Sequence, residues 1–406
     1  MLKRRTFLAS SLATAAAASL PAPAFSAIKQ FARPRVAKNA EHTVVYRNEA
    51  EFSAWPYTNG FWEAADGQLL QNFMIAKADY SDASKISHDV IGSGGARVVS
   101  IRSRDRGRTW DAPKPYDFER TGPHDGTGES LAELGPIDYT GKDVFVWSSS
   151  PGFGTPEGRP FVRVSKDAGE NWSRAYRLPL DGLPSASANV SQLVRPDGRS
   201  LLFLTMVSKD GGSRRPRVYG SVPDGSTWHF MSFITPKEDP FGNADGDWKS
   251  TFRFGGHRWF YPRAQMLPSG RILCTLRSQR DPTGVMWTEL YYSDDGADTW
   301  HFLSRINDFG APGSLVRMQD GRLVCVYGFR LPPFGVRACV SEDEGQTWGP
   351  EIVLRDDGGS WDLGYPNAIE SEPGKIMAIY YFNTKNDRIQ ANGGVRHIAR
   401  TVFTVD

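Results

Sequence analysis

Three cysteines in 406 residues, none closely spaced with another, exclude a disulfide framework and a cysteine zinc site. Two of them, Cys274 and Cys325, fall in matching segments, RILCTLR and RLVCVYG, where a small buried hydrophobe fits. An excess of one charge is also missing. The 48 Lys and Arg stand against 46 Asp and Glu, a net charge of +2. With no long basic run and no finger-type spacing, an electrostatic nucleic-acid binder is excluded. No segment of length carries the 3.6-residue period of an amphipathic helix. Beyond the N-terminal twenty or so residues, no apolar run is long enough to cross a bilayer. What is present in quantity is aromatic: 12% of the chain, including 12 Trp. Such a surplus goes into packing between sheets or into stacking platforms for sugars.

The N-terminus reads as a targeting segment. MLKRRTFL carries paired arginines, and the alanine-rich stretch through Leu20 is too short to span as a stable helix. Ala22-Pro23-Ala24 offers a small-x-small cleavage site, with Ala27 a later one. The expectation is a twin-arginine signal peptide over residues 1–27, a linker over 28–40 and one domain over 41–406. The chain is then exported folded, to the periplasm or beyond, with no membrane contact once the signal is removed.

Self-similarity carries most of the information. SRDRGRTW (Ser103 to Trp110) returns as SKDAGENW (Ser165 to Trp172) and SEDEGQTW (Ser341 to Trp348). Two worn copies, SVPDGSTW (Ser221 to Trp228) and SDDGADTW (Ser293 to Trp300), keep the length. The pattern suits a hairpin: an Asp oxygen accepts from N–H groups of its own turn, and Gly supplies positive φ. The Trp then opens the next strand and inserts between neighbouring sheets. These boxes are architectural.

Strands read around each box give a repeated four-stranded unit. One such unit runs RAQMLPSG, RILCTLRS, TELYYSDD, TWHFLSRI, with a Ser-Gly turn after its first strand and a box after its third. The last unit has only YPNAIES, KIMAIYYF and VRHIARTVF, so the early strand HTVVYR (His42 to Arg47) is expected to complete it. Five boxed units and one shared unit predict an all-β, six-bladed β-propeller.

In an antiparallel blade the first and third turns share one face, and the second turns and interblade links share the other. The second face carries the long, irregular loops, where function is expected. It should hold Trp55, the loop with His88 and Asp89, the link with His124, the stretch Lys237 to Arg263, Arg277, the loop Gly328 to Arg337 with Arg330, and Trp361, Asp362 and Tyr365. Arg, Asp, His and Tyr converging on a Trp-walled mouth suit an anionic sugar.

The boxes resemble the Asp-box repeat of sialidases and their relatives, over nearly the whole mature chain. The resemblance implies a six-bladed propeller in which an arginine triad holds the substrate carboxylate, a Tyr is the nucleophile, a Glu activates it, and an Asp is the acid/base. On this chain LGYPNAIES is similar to the Tyr strand, making Tyr365 the nucleophile candidate. LPSGRILCTLR is similar to the stretch ending in the second triad arginine, hence Arg277. The third would be Arg337, with Arg330 as an alternative, and the acid Asp89, or else Asp82. Two positions depart from the pattern. Ala54-Trp55-Pro56 stands where an R-I-P stretch supplies the first arginine, and Tyr261-Pro262-Arg263 stands where the Glu belongs.

The leading expectation is a sialidase-like exo-glycosidase acting on a terminal acidic or unusual sugar of a glycan. Tyr365 and Asp89 carry the chemistry, with Arg277, Arg337 or Arg330, Arg263, Trp55 and Asp362 around the substrate. A polysaccharide lyase in which His88, His124 or Tyr365 abstracts the proton α to a uronate carboxylate is the alternative, and a non-catalytic carbohydrate-binding propeller a third. No nucleotide or redox cofactor and no catalytic metal is expected; the Asp-rich links leave a structural Ca²⁺ open.

Overall fold

The computed structural model describes residues 32–86, 95–116, 131–152, 154–207, 214–236, 258–279 and 285–405. The expected signal peptide, His88, Asp89 and His124 lie outside the described residues. One unit, Pro34–Asp406, holds six sheets that follow one another along the chain.

Blade 1 contains Glu51–Ala54 and Phe61–Glu63, both paired with Leu69–Lys77, followed by Arg97–Ser103 and Lys114–Pro115. Blade 2 has Phe145–Ser149, Phe161–Ser165 and Tyr176–Arg177. Blade 3 has Ser187–Val194, Ser200–Val207, Arg214–Ser221 and Trp228–Phe233. Blade 4 has Arg258–Met266, Ile272–Gln279, Met286–Ser293 and His301–Arg305. Blade 5 has Gly313–Arg317, Leu323–Phe329, Gly335–Ser341 and Ile352–Arg355. Blade 6 has Gly364–Glu372, Lys375–Phe382 and His397–Thr404, and its fourth strand is the early Glu41–Tyr46, antiparallel to His397–Thr404. The chain therefore closes on itself as the incomplete last unit predicts.

Two details differ from the sequence reading. Among the described residues blade 2 has three strands rather than four, and the N–H groups of Leu131 and Ile137 are given to the carbonyls of Ser226 and Asp224 in the blade 3 box, not to a ladder. Within the expected linker, Arg35–Val36 adds a short parallel strand to Ile352–Arg355.

The boxes work as turns. In blade 1 the Ser103 hydroxyl accepts from Gly107 N at 2.7 Å, and Asp105 accepts from Thr109 N at 2.8 Å and from the Thr109 hydroxyl at 2.6 Å. Blade 5 repeats this with Ser341, Asp343 and Thr347. Burial opposes ionisation of Asp105, but these hydrogen bonds outweigh it and bring its carboxyl to about 2. Three of the box Trp rings reach the preceding blade: Trp348 Nε1 donates to Ser304 Oγ at 3.0 Å, Trp300 Nε1 to Ser232 Oγ at 3.2 Å, and the Trp172 ring lies 5.5 Å from that of Trp62.

The box glycine combines positive φ with a close approach. Gly345 has φ +89, and a Cβ there would come within 2.4 Å of Leu290 Cδ2 in blade 4. Ala297 holds φ 84 at the same box position of blade 4, so the turn conformation is kept even where Gly is not. Gly345→Ala is expected to cost about 2 kcal/mol, from left-handed strain plus a displaced leucine. In a chain of this size that lowers Tm by roughly 2–3 °C, which differential scanning calorimetry resolves.

Candidate active site

Three aromatic-proline pairs occur in the chain: Trp55-Pro56, Tyr261-Pro262 and Tyr365-Pro366. All three lie at innermost strands, and their aromatic residues hold left-handed φ values of 56, 53 and 51. A non-glycine residue in this region costs on the order of 1–3 kcal/mol, and such strain collects at functional sites. The ladder breaks at each pair. Register shifts between Phe260 and Arg263 in blade 4 and between Gly364 and Asn367 in blade 6, while a one-turn helix, Pro56–Asn59, interrupts the first strand of blade 1. Proline has no N–H to give to a ladder, so the strand kinks there and the preceding ring leaves the regular alternation.

The kinks bring the rings together. Tyr261 and Tyr365 meet edge to face with centroids 5.4 Å apart, and their hydroxyls lie 3.2 Å apart. Arg277, at the end of the second strand of blade 4, donates from Nη1 to the Tyr365 hydroxyl at 3.2 Å and from Nη2 to Gln279 Oε1 at 2.8 Å. Arg330 follows the second strand of blade 5, its guanidinium 5.1 Å from the Tyr365 ring and 5.5 Å from that of Trp361. Glycines make this contact possible: a Cβ on Gly364 would sit 2.7 Å from Gly328 Cα, so blades 5 and 6 approach backbone to backbone just below Arg330 and Tyr365.

The electrostatics follow from this arrangement. Burial by itself would raise the Tyr365 phenol, but the Arg277 and Arg330 guanidiniums and the Tyr261 hydroxyl outweigh burial and the opposing Asp362. The phenol ends below its ordinary value. Tyr261 moves the other way, raised by burial and then by Tyr365. One phenol is acidified while its neighbour stays a protonated donor. Behind them Asp362 accepts from the Tyr381 hydroxyl at 2.6 Å and lies 3.4 Å from Arg396 Nε.

The structure thus brings Tyr365, Arg277 and Arg330 together, with Asp362 in the layer behind. The structure places the other described candidates elsewhere. Arg337 sits on the third strand of blade 5, farther from the axis, where it pairs with Glu351 and covers the Phe329 ring at 3.3 Å. Arg263 lies inside the propeller axis, donating to Tyr57 O at 2.6 Å, Val190 O at 3.3 Å and Asn367 Oδ1, so its donors serve blades 1, 3 and 6. Trp55 is 8% exposed and packs against Phe52 and Tyr381 as a wall of the core. Asp82 caps a turn through Ser84. Tyr261 and Arg214 were not singled out as site residues from the sequence. The aromatic-proline pair at 261, matching those at 55 and 365, was the signal for the first; nothing local marks the second.

Fold and mouth together define a sialidase-like, six-bladed Asp-box propeller with an arginine-flanked tyrosine at its mouth. The chain belongs to the BNR repeat-like domain family, whose model matches residues 136–378. A Dyadobacter fermentans protein of unknown function is similar over 90% of this chain and 98% of its own, with a TM-score of 0.66 and 22% identity. A Hadza microbial sialidase gives a TM-score of 0.55 at 14% identity over 87% of this chain, which spans 66% of that protein's length. An α-L-arabinofuranosidase from Fusarium graminearum gives 0.54 at 14% identity, covering 89% of this chain and 98% of its own. No protein of curated function matches the sequence. At these identities the structural likeness establishes the fold.

Proposed function

We propose that the protein is a glycosidase that removes a terminal acidic sugar from a glycan, with Tyr365 as nucleophile. The observation that supports this reading is the Arg277 Nη1 contact at 3.2 Å to a Tyr365 hydroxyl lying beneath Arg330. The departure at Tyr261, where the family pattern has a Glu, then has a physical reading. Two guanidiniums favour loss of the phenolic proton electrostatically, so a carboxylate need not take it. With its phenolic proton lost to solvent, Tyr365 Oη forms the bond to the anomeric carbon as the bond to the leaving oxygen breaks, and Asp89 gives that oxygen its proton. The Asp89 carboxylate then takes a proton from the water that attacks the anomeric carbon as the bond to Tyr365 Oη breaks, giving net retention. The sialidase and arabinofuranosidase among the structural neighbours support a glycoside as substrate, and the paired arginines of the N-terminal segment support export.

An acidified tyrosine beside arginines also suits proton abstraction next to a uronate carboxylate, which is the lyase reading. The deciding experiment incubates the mature protein with aryl glycosides, a sialoside and uronides among them, and with uronate polysaccharides followed by ultraviolet absorbance. Aryl release supports the hydrolase. New absorbance without aryl release replaces it with the lyase, and silence in both leaves a binding propeller.

The pH profile gives a further expectation. If the phenolate is the reactive form, kcat/KM rises with pH through the Tyr365 pKa, and this limb lies below the ordinary phenol value. Arg277→Met removes one of the charges that hold it down, so the limb should move to higher pH in that variant. An unmoved limb assigns the titration to another group.

A further inference from the structure

Arg214 opens the third strand of blade 3 at the mouth, and its charge has no acidic partner among the described residues. Its guanidinium lies 4.5 Å from the Phe260 ring centroid, and that of Arg277 lies 5.3 Å from the same ring. Arg214 Nη2 donates to Gly154 O at 3.0 Å, while its Nε is buried with no acceptor. The Nε atoms of Arg277 and Arg330 are also buried without acceptors. Arg277 already spends Nη1 on Tyr365 and Nη2 on Gln279, and Arg330 spends Nη2 on Leu363 O. Burial lowers Arg214 to about 10; Arg258 and Arg277 push the same way against the phenols of Tyr261 and Tyr365. Keeping guanidiniums side by side, Arg214 and Arg277 half-buried and Arg330 buried, is costly unless an anion enters to pair with them.

We propose that Arg214 completes the mouth's anion clamp, binding the carboxylate of an acidic sugar together with Arg277 and Arg330. It does so from blade 3, a different direction from the opening strand, where Ala54 stands in place of the family pattern's arginine. Phe260 serves as the common surface on which two of the three guanidiniums rest. This inference rests on the reading of the mouth as a site for acidic sugars, and it adds the residue that decides between acidic and neutral ones.

The test is equilibrium binding, independent of turnover. The wild type, Arg214→Met and Arg214→Lys are titrated by calorimetry with N-acetylneuraminate, with D-glucuronate and, as a neutral control, with methyl glucoside. For at least one acid, Arg214→Met is expected to weaken binding roughly tenfold or more, while Arg214→Lys stays within about threefold. Affinity for the neutral sugar should be the same in all three. Melting curves identify a folding defect; should Arg214→Met not fold, Arg214→Gln replaces it. Equal affinity for the acids with and without the Arg214 charge overturns the assignment, as does absence of acid binding by the wild type. If acid binding follows Arg214 while Tyr365→Phe keeps full turnover, the clamp stands and the proposed Tyr365 chemistry falls.

Discussion

Tyr365→Phe is expected to lower kcat on the order of 10³-fold on whichever aryl glycoside the wild type cleaves, with KM changed little. The substitution removes one oxygen and leaves the ring. That ring keeps its edge contact with Tyr261 and its place beneath Arg330, so the mouth should retain its shape. What is lost is the atom that two guanidiniums acidify. A fall in kcat at constant KM marks an interaction made only in the transition state. Spectrophotometric titration gives an independent check without substrate. The wild type should show one phenol ionising below the others, and the variant should lack it. Retained turnover in Tyr365→Phe would remove this residue from the chemistry.

Arg263→Met should produce the opposite signature. Here the guanidinium reaches Tyr57 O, Val190 O and Asn367 Oδ1 and lies 3.7 Å from the Tyr57 ring centroid. Asn367 passes the network on, donating to Pro56 O at 3.0 Å and to Gln71 Oε1 at 2.8 Å. Methionine fills much of the same volume but leaves those acceptors without their donor in a half-buried site. The expected loss is about 3–5 kcal/mol, and the corresponding fall in Tm is roughly 5 °C. Acid-sugar affinity, measured as for Arg214, should change little. A raised dissociation constant at unchanged Tm would instead make Arg263 a ligand contact.

These two residues illustrate how far the site was legible. Tyr365 was found because its strand resembles a known one. Arg263 and Arg277 look alike in sequence, being arginines on adjacent strands of blade 4. Pairing separates them: Phe260 faces Arg277 and Arg263 faces Thr275, with the kink at Tyr261-Pro262 between. That irregularity sends one guanidinium into the axis and the other to the mouth. Arg330 and Arg337 were equally ambiguous, seven residues apart around one turn. The glycine contact between Gly328 and Gly364 resolves them, since it brings the end of the second strand, not the start of the third, up to Tyr365.

The sequence by itself determined the repeat, the number of blades and the closure of the ring by His42 to Arg47. Each is written in neighbouring residues: the hydrogen bonds of a box close within eight positions, and strand alternation has a period of two. Only the tertiary structure decided which cations surround the tyrosine and which hold the blades together. Arg214, Arg277, Arg330 and Tyr365 come from four different blades. Their approach is fixed by kinks and by backbone packing between strands far apart in the chain, which leave no local pattern to read.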